Sequence, residues 1–81
     1  MPMTKTDKLK AKLLSGSTLK WSELVSLLRS LGYTLLEGSG SRIKFVKGSR
    51  IISLHRPHPD PEIKRYVTKY VIEQLQREGD L

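Results

Sequence analysis

The chain has no cysteine. That excludes a disulfide framework and any thiolate metal site. No apolar run is long enough to span a bilayer, and the N-terminus lacks the apolar core of a secretory signal. A cytoplasmic protein with no membrane partner is the expectation. Carboxylates are few and scattered: Asp7, Glu23, Glu37, Asp60, Glu62, Glu73, Glu78 and Asp80. A two-metal hydrolase needs its acids clustered around the ions, so that chemistry is disfavoured. His55 and His58 have His-x-x-His spacing, but with no third histidine and no cysteine the ligand count for zinc fails. No metal and no cofactor is expected. Internal repeats and low-complexity tracts are also lacking.

What is present is positive charge. Fifteen Lys and Arg stand against eight Asp and Glu, a formal net charge of +7 over 81 residues. A surplus of this sign favours a polyanion, an acidic protein partner or an anionic surface. The basic residues concentrate in 5–12, 42–56 and 64–69. With 37% apolar residues in clear periodic patterns, the chain is a folded domain and not a disordered tail. Its length suits one domain with a thin core.

The most informative stretch is Gly38 to Pro59, GSGSRIKFVKGSRIISLHRPHP. Two β-like runs, Arg42 to Lys47 and Arg50 to Arg56, flank Gly48-Ser49. Gly-x as a two-residue loop favours a type II′ hairpin turn. Such a loop fixes the register. Lys47 then lies opposite Arg50, Phe45 opposite Ile52 and Ile43 opposite Leu54. Alternation puts Ile43, Phe45, Ile52 and Leu54 on one face. The other face carries Arg42 opposite His55, Lys44 opposite Ser53 and Val46 opposite Ile51. The turn alone sets this register, yet it sorts the apolar residues to one side.

The remaining elements are helical, apart from one strand. Thr4 to Ser15 reads as a short helix with a stripe of Leu9, Leu13 and Leu14, and with Asp7 to cap its start. Leu19 to Leu31 is a stronger amphipathic helix closed by Gly32. Trp21 near its start is a core-edge residue or, in the functional reading, a base-stacking one. Tyr33 to Glu37 is a first strand. The Gly38-Ser39-Gly40-Ser41 break lacks the spacing of a phosphate-loop motif, so a flexible connector is expected. The last helix is expected to be capped by Asp60 and to have Pro61 at its first position. Its buried stripe is expected to be Ile63, Tyr66, Val67, Tyr70, Val71 and Leu75. Lys64, Arg65 and Lys69 lie on its outer side. The expected fold is α+β: a two-layer sandwich of a three-stranded antiparallel sheet with helices on one face and the other face open.

Histidine with Arg or Lys is the residue set for metal-free RNA cleavage. A base takes the 2′-OH proton, the oxygen attacks the adjacent phosphorus, an acid protonates the leaving oxygen, and cations hold the charged phosphorane. The other reading of His55 and His58 is structural: they bind phosphate or bond the backbone in a loop shaped by Pro57 and Pro59.

Between Trp21 and about Gly79 the sequence resembles a known family. The resemblance rests on W-S-E-L-x-x-L-L-x-x-L-G, on E-G-S-G-S-R-I-K-F and on L-H-R-P-H-P before the last helix. These look like HicA-type toxins of toxin–antitoxin pairs. The resemblance implies a fold like that of the double-stranded-RNA-binding domain, with order α-β-β-β-α. It also implies mRNA cleavage and inhibition by a HicB-type antitoxin. Residues 1–18 are then an N-terminal extension and 19–81 the family-like domain. One departure is marked: the family usually has a catalytic histidine after Gly-Ser at the start of its second strand, and here Gly40-Ser41 is followed by Arg42. His58-Pro59 does match the family's His-Pro. The expected catalytic set is therefore His55, Arg42 and His58, with His55 as base or acid and Arg42 as phosphate clamp. Ser41, Lys44, Arg56, Lys64, Arg65 and Lys69 are the expected RNA contacts. The other reading of Arg42 is that catalysis has been lost and a binding domain remains.

Overall fold

The computed structural model describes residues 4–57 and 62–79. The element order is α1 (Lys5–Leu14), α2 (Trp21–Ser30), β1 (Thr34–Glu37), β2 (Arg42–Lys47), β3 (Arg50–His55) and α3 (Arg65–Arg77). This is the α-β-β-β-α arrangement with one additional N-terminal helix. The strands form one antiparallel sheet in the order β1-β2-β3.

Local sequence accounts for most element ends. At α1 the N-cap is Thr4, and the expected Asp7 is its partner three residues on. The Asp7 N–H donates to Thr4 Oγ1 (3.1 Å) and the Thr4 N–H donates to Asp7 Oδ2 (3.2 Å), a reciprocal capping box. α2 closes at Gly32, whose φ is +97°. The Gly32 N–H donates to the Arg29 carbonyl and the Tyr33 N–H to the Leu28 carbonyl, both at 3.0 Å. This Schellman geometry needs the left-handed conformation that glycine adopts freely. It turns the chain so that Tyr33 is buried immediately before β1.

The β2–β3 hairpin has the register read from its loop: Arg42↔His55, Ile43↔Leu54, Lys44↔Ser53, Phe45↔Ile52, Val46↔Ile51 and Lys47↔Arg50. Gly48 has φ +63° and Ser49 does not share that sign, which fits type II′ and not type I′. Glycine-rich 38–41 is not a loose connector. The Arg42 N–H donates to the Ser39 carbonyl (3.2 Å) and the Gly38 N–H to the Arg42 carbonyl (2.8 Å), so it is a hydrogen-bonded turn.

Ile43, Phe45, Ile52 and Leu54 are buried under the helices with Leu24, Leu27, Leu28, Val71 and Leu75. α1 joins the same core through Leu9 and Leu13, packing on α2 and α3. Lys12 Nζ reaches both carboxylate oxygens of Glu23 (2.9 and 3.0 Å), and the Lys20 N–H donates to the same carboxylate.

The last helix departs from expectation at its start. Glu62, Ile63 and Lys64 are not helical. Glu62 bridges Lys20, and the Ile63 N–H donates to the Leu19 carbonyl (2.9 Å). Helix α3 begins only at Arg65, with Lys64 at the N-cap. The expected caps Asp60 and Pro61 lie outside the described residues. The buried face is rotated as well. Thr68, Val71 and Leu75 are buried, Val67, Tyr70 and Ile72 are half-buried, and Tyr66 is 69% exposed. The cause is α1. Leu13 and Leu14 share a groove with Thr68 and Ile72, so the face of α3 toward α1 is covered and the face carrying Tyr66 is not.

Candidate nucleic-acid interface

The uncovered sheet face is built by strand alternation. Its rows across the three strands are Thr34, Val46 and Ile51; then Leu36, Lys44 and Ser53; then Arg42 and His55. On β2 and β3 the residues that alternate with this set are buried Ile43, Phe45, Ile52 and Leu54, so the same pleat that fixes the core exposes it. Arg42, Lys44, Ser53 and His55 are all exposed. The cations and His55 occupy the end near the β1–β2 turn, with half-exposed Leu36 beside Lys44, while half-exposed Ile51 lies toward the hairpin turn beside Val46.

Arg42 and His55 are directly opposed. Counting outward from the two-residue loop, Lys47↔Arg50 is a hydrogen-bonded pair and the type alternates from there. Arg42↔His55 is then a non-hydrogen-bonded pair, the class with the closer side chains. The next position agrees, because the Arg56 N–H donates to the Ser41 carbonyl at 2.8 Å. An imidazole and a guanidinium thus project from adjacent points on an open surface.

Two concavities flank this pair. One, of about 340 Å³, is lined by Arg42, Lys44, Leu36 and the residues Glu37, Gly38 and Ser39 of the turn. The other, of about 240 Å³, lies between the end of β3 and the start of α3 and has His55 in its wall.

The expected contact residues divide between these surfaces. Lys44 shares the first concavity with Arg42, and Ser41 adjoins Arg42 in the chain. Lys64 lines the second with His55. Arg65 and Lys69 instead line the groove between α1 and α3, together with Leu13, Thr68 and Ile72. Arg56 also lines the second concavity, but its guanidinium is engaged elsewhere. It follows His55, so alternation takes it to the Leu54 side of the sheet, and its Nη2 reaches across the end of β2 to Glu37 Oε1 at 2.8 Å. The guanidinium is engaged in an exposed ion pair and is not part of the open-face row. His58 lies outside the described residues. Among the described residues, no group of three or more His, Cys, Asp or Glu is placed to share a metal ion. No helix of the described residues is long and apolar enough to cross a membrane.

Sequence reasoning missed Tyr66 and the Arg56–Glu37 pair. Tyr66 was hidden because an aromatic at helical spacing reads as core. The signal that could have found it is Thr68 and Ile72, which extend the apolar arc to the opposite side of the helix. The ion pair joins residues 19 apart in sequence and has no local signature.

Fold and surface together define a small two-layer α+β protein that presents a cation-bearing, uncovered sheet face. The family model for the HicA toxin of bacterial toxin–antitoxin pairs matches residues 21–76, and the chain belongs to that family. It is a toxin component of such a pair. The match begins at the first residue of α2, so α1 lies outside it. No curated protein and no solved structure matches the chain.

Proposed function

We propose that this toxin is a metal-independent endoribonuclease that cuts mRNA in the cytoplasm, with its active centre at Arg42 and His55. The observation that carries the reading is their direct opposition in the open face of the β2–β3 ladder. His55 takes the proton from a ribose 2′-OH. The freed oxygen bonds to the adjacent phosphorus, and the bond from phosphorus to the 5′-oxygen of the next nucleotide breaks. That oxygen leaves protonated, and the product carries a 2′,3′-cyclic phosphate. Arg42 holds two phosphate oxygens and stabilises the phosphorane. Lys44 adds charge from the neighbouring row. His58, by its match to the family's His-Pro, is the second proton-transfer group. Relative to the family's usual arrangement, the histidine has moved across the ladder from the β2 position to the β3 position.

The unit that acts is residues 19–81, and residues 1–18 are an extension that shares its core. A HicB-type antitoxin covers the open face, and Leu36, Val46 and Ile51 give that contact its apolar part. Those three residues also favour a second reading. With Arg42 in place of the family histidine, the face retains RNA and antitoxin binding but no longer cuts.

The test is incubation of labelled single-stranded RNA with the protein in EDTA, beside a His55→Ala variant. Cleavage by the wild type and not by the variant supports the nuclease. Equal cleavage by both removes His55 from the mechanism. Salt-dependent binding without scission on several unrelated RNAs selects the second reading.

A further inference from the structure

The concavity beside α3 has a composition unlike the rest of the open surface. Trp21, Pro57, Ile63 and Tyr66 make its walls largely apolar, and His55 forms the edge toward Arg42. Trp21 is held in place from behind, with its ring 6.0 Å from that of buried Phe45 and tilted by 54°. Tyr66 is 69% exposed, while the other apolar residues of the helix are buried or half-buried. Glu62, Lys64 and Arg56, the last paired with Glu37, also line the groove, and Lys64 at the N-cap keeps the approach attractive to a polyanion.

Resting on the nuclease reading above, we infer that this groove is a subsite for one unpaired nucleobase of the RNA strand, stacked on Tyr66, next to the phosphate held by Arg42 and His55. Three observations support the assignment. The groove and the phosphate site share His55, so a strand whose phosphate lies on the Arg42–His55 pair presents a flanking base to it. A cavity of about 150 Å³ suffices for benzene, so 240 Å³ accommodates the ring of a base. Bases of single-stranded RNA are recognised by stacking on exposed aromatics beside a cationic track, which is the arrangement of Tyr66 and Lys64 here. The subsite favours single-stranded RNA over duplex, because a paired base must first unpair and unstack to enter it.

The test measures binding and not cleavage. The probe is a mixed-sequence, single-stranded 2′-fluoro RNA, which has no 2′-OH to attack with, and its control is the same backbone without bases. The expected result is that Tyr66→Ala weakens the base-bearing probe by about 5- to 150-fold, the range for loss of one stacked base. Tyr66→Phe should stay within about twofold of wild type, because a phenyl ring still stacks. The salt slope should not change, since no phosphate contact is removed. The affinity of the base-free backbone should not respond to either variant. Fluorescence of Trp21, the chain's single tryptophan, should be quenched by the base-bearing probe and not by the control. Equal binding by wild type and Tyr66→Ala overturns the subsite, as does an equal loss on the base-free backbone. If the wild type binds neither probe, both the subsite and the RNA reading fall. Tyr66-dependent binding with no cleavage of natural RNA leaves the subsite standing and overturns only the nuclease.

Discussion

One ladder, β2 with β3, carries two faces with opposite duties. On the inner face Ile43, Phe45, Ile52 and Leu54 are fully packed, and each is opposed by another of the set. On the outer face Arg42, Lys44, Ser53 and His55 are paired in the same ladder and stay in solvent. The two sets alternate along the same two strands, the inner residues in hydrogen-bonded pairs and the outer ones in non-hydrogen-bonded pairs. What separates them energetically is desolvation. The inner set gains free energy by leaving water and so fixes the register. The outer set gains nothing from burial and is free to carry charge. A one-residue slip of β2 would bury Arg42 and expose Phe45, and a slip of β3 would bury His55 and expose Ile52. The core therefore enforces the geometry of the surface pair without touching it.

This contrast can be broken most decisively at Phe45. Phe45→Ala should cost about 3–5 kcal/mol. That is a large part of the roughly 5–10 kcal/mol available to a domain of this size. The outer-face control Ile51→Ser should change stability by less than about 0.5 kcal/mol. Urea midpoints followed by circular dichroism read both, and similar losses at the two sites would dissolve the distinction between the faces. The reciprocal experiment is His55→Ala. RNA cleavage should fall by about 10²- to 10⁴-fold, the usual contribution of a proton-transfer group, with the urea midpoint essentially unmoved. A shifted midpoint would mean that His55 supports the fold.

Lys44→Ala sharpens the outer face alone. Loss of one phosphate contact should weaken RNA binding on every sequence and lower the log–log salt slope by about 0.7–0.9. An unchanged slope would take Lys44 off the strand's path. The smallest effect is expected behind the inner face, at the seam of α1 and α2. The Lys12 ammonium, and then the Lys20 N–H, hold the Glu23 carboxyl below its ordinary value. A depressed folded-state value means that this contribution is present above the ordinary carboxylate range and disappears as pH falls through the folded-state value. Both side chains are partly exposed, so the pair is worth under about 1 kcal/mol. Stability measured from pH 7 down to pH 3 should therefore fall slightly more for the wild type than for Lys12→Met. Parallel curves would show that the pair contributes nothing.

The strand pair was legible because two short-range constraints coincide: a Gly-Ser loop that sets the register, and an alternation that satisfies it. The capping box at Thr4 and the stop at Gly32 are local in the same sense. The start of α3 was not legible, although Asp60-Pro61-Glu62 is a good helix opening by composition. A distant segment competes for Glu62 and Ile63. Pairing of Glu62 with Lys20, and of the Ile63 N–H with the Leu19 carbonyl, uses backbone groups that a helix would otherwise claim. Of the candidate site, the opposition of Arg42 and His55 was readable from the hairpin. The diversion of Arg56 to Glu37 and the exposure of Tyr66 were not.

By itself the sequence determined the elements whose causes lie within a few residues: the hairpin and its two faces, the core-facing leucines of α2 and the family membership they help to encode. Only the tertiary structure decided where α3 begins, which of its sides is buried and which cations accompany His55. The physical reason is range. Turn chemistry and side-chain alternation act between near neighbours, whereas the rotation of a helix is set by whatever packs against it. Here that is a segment some 50 residues away in the chain, on the α1 side, and it leaves Tyr66 facing the groove beside His55.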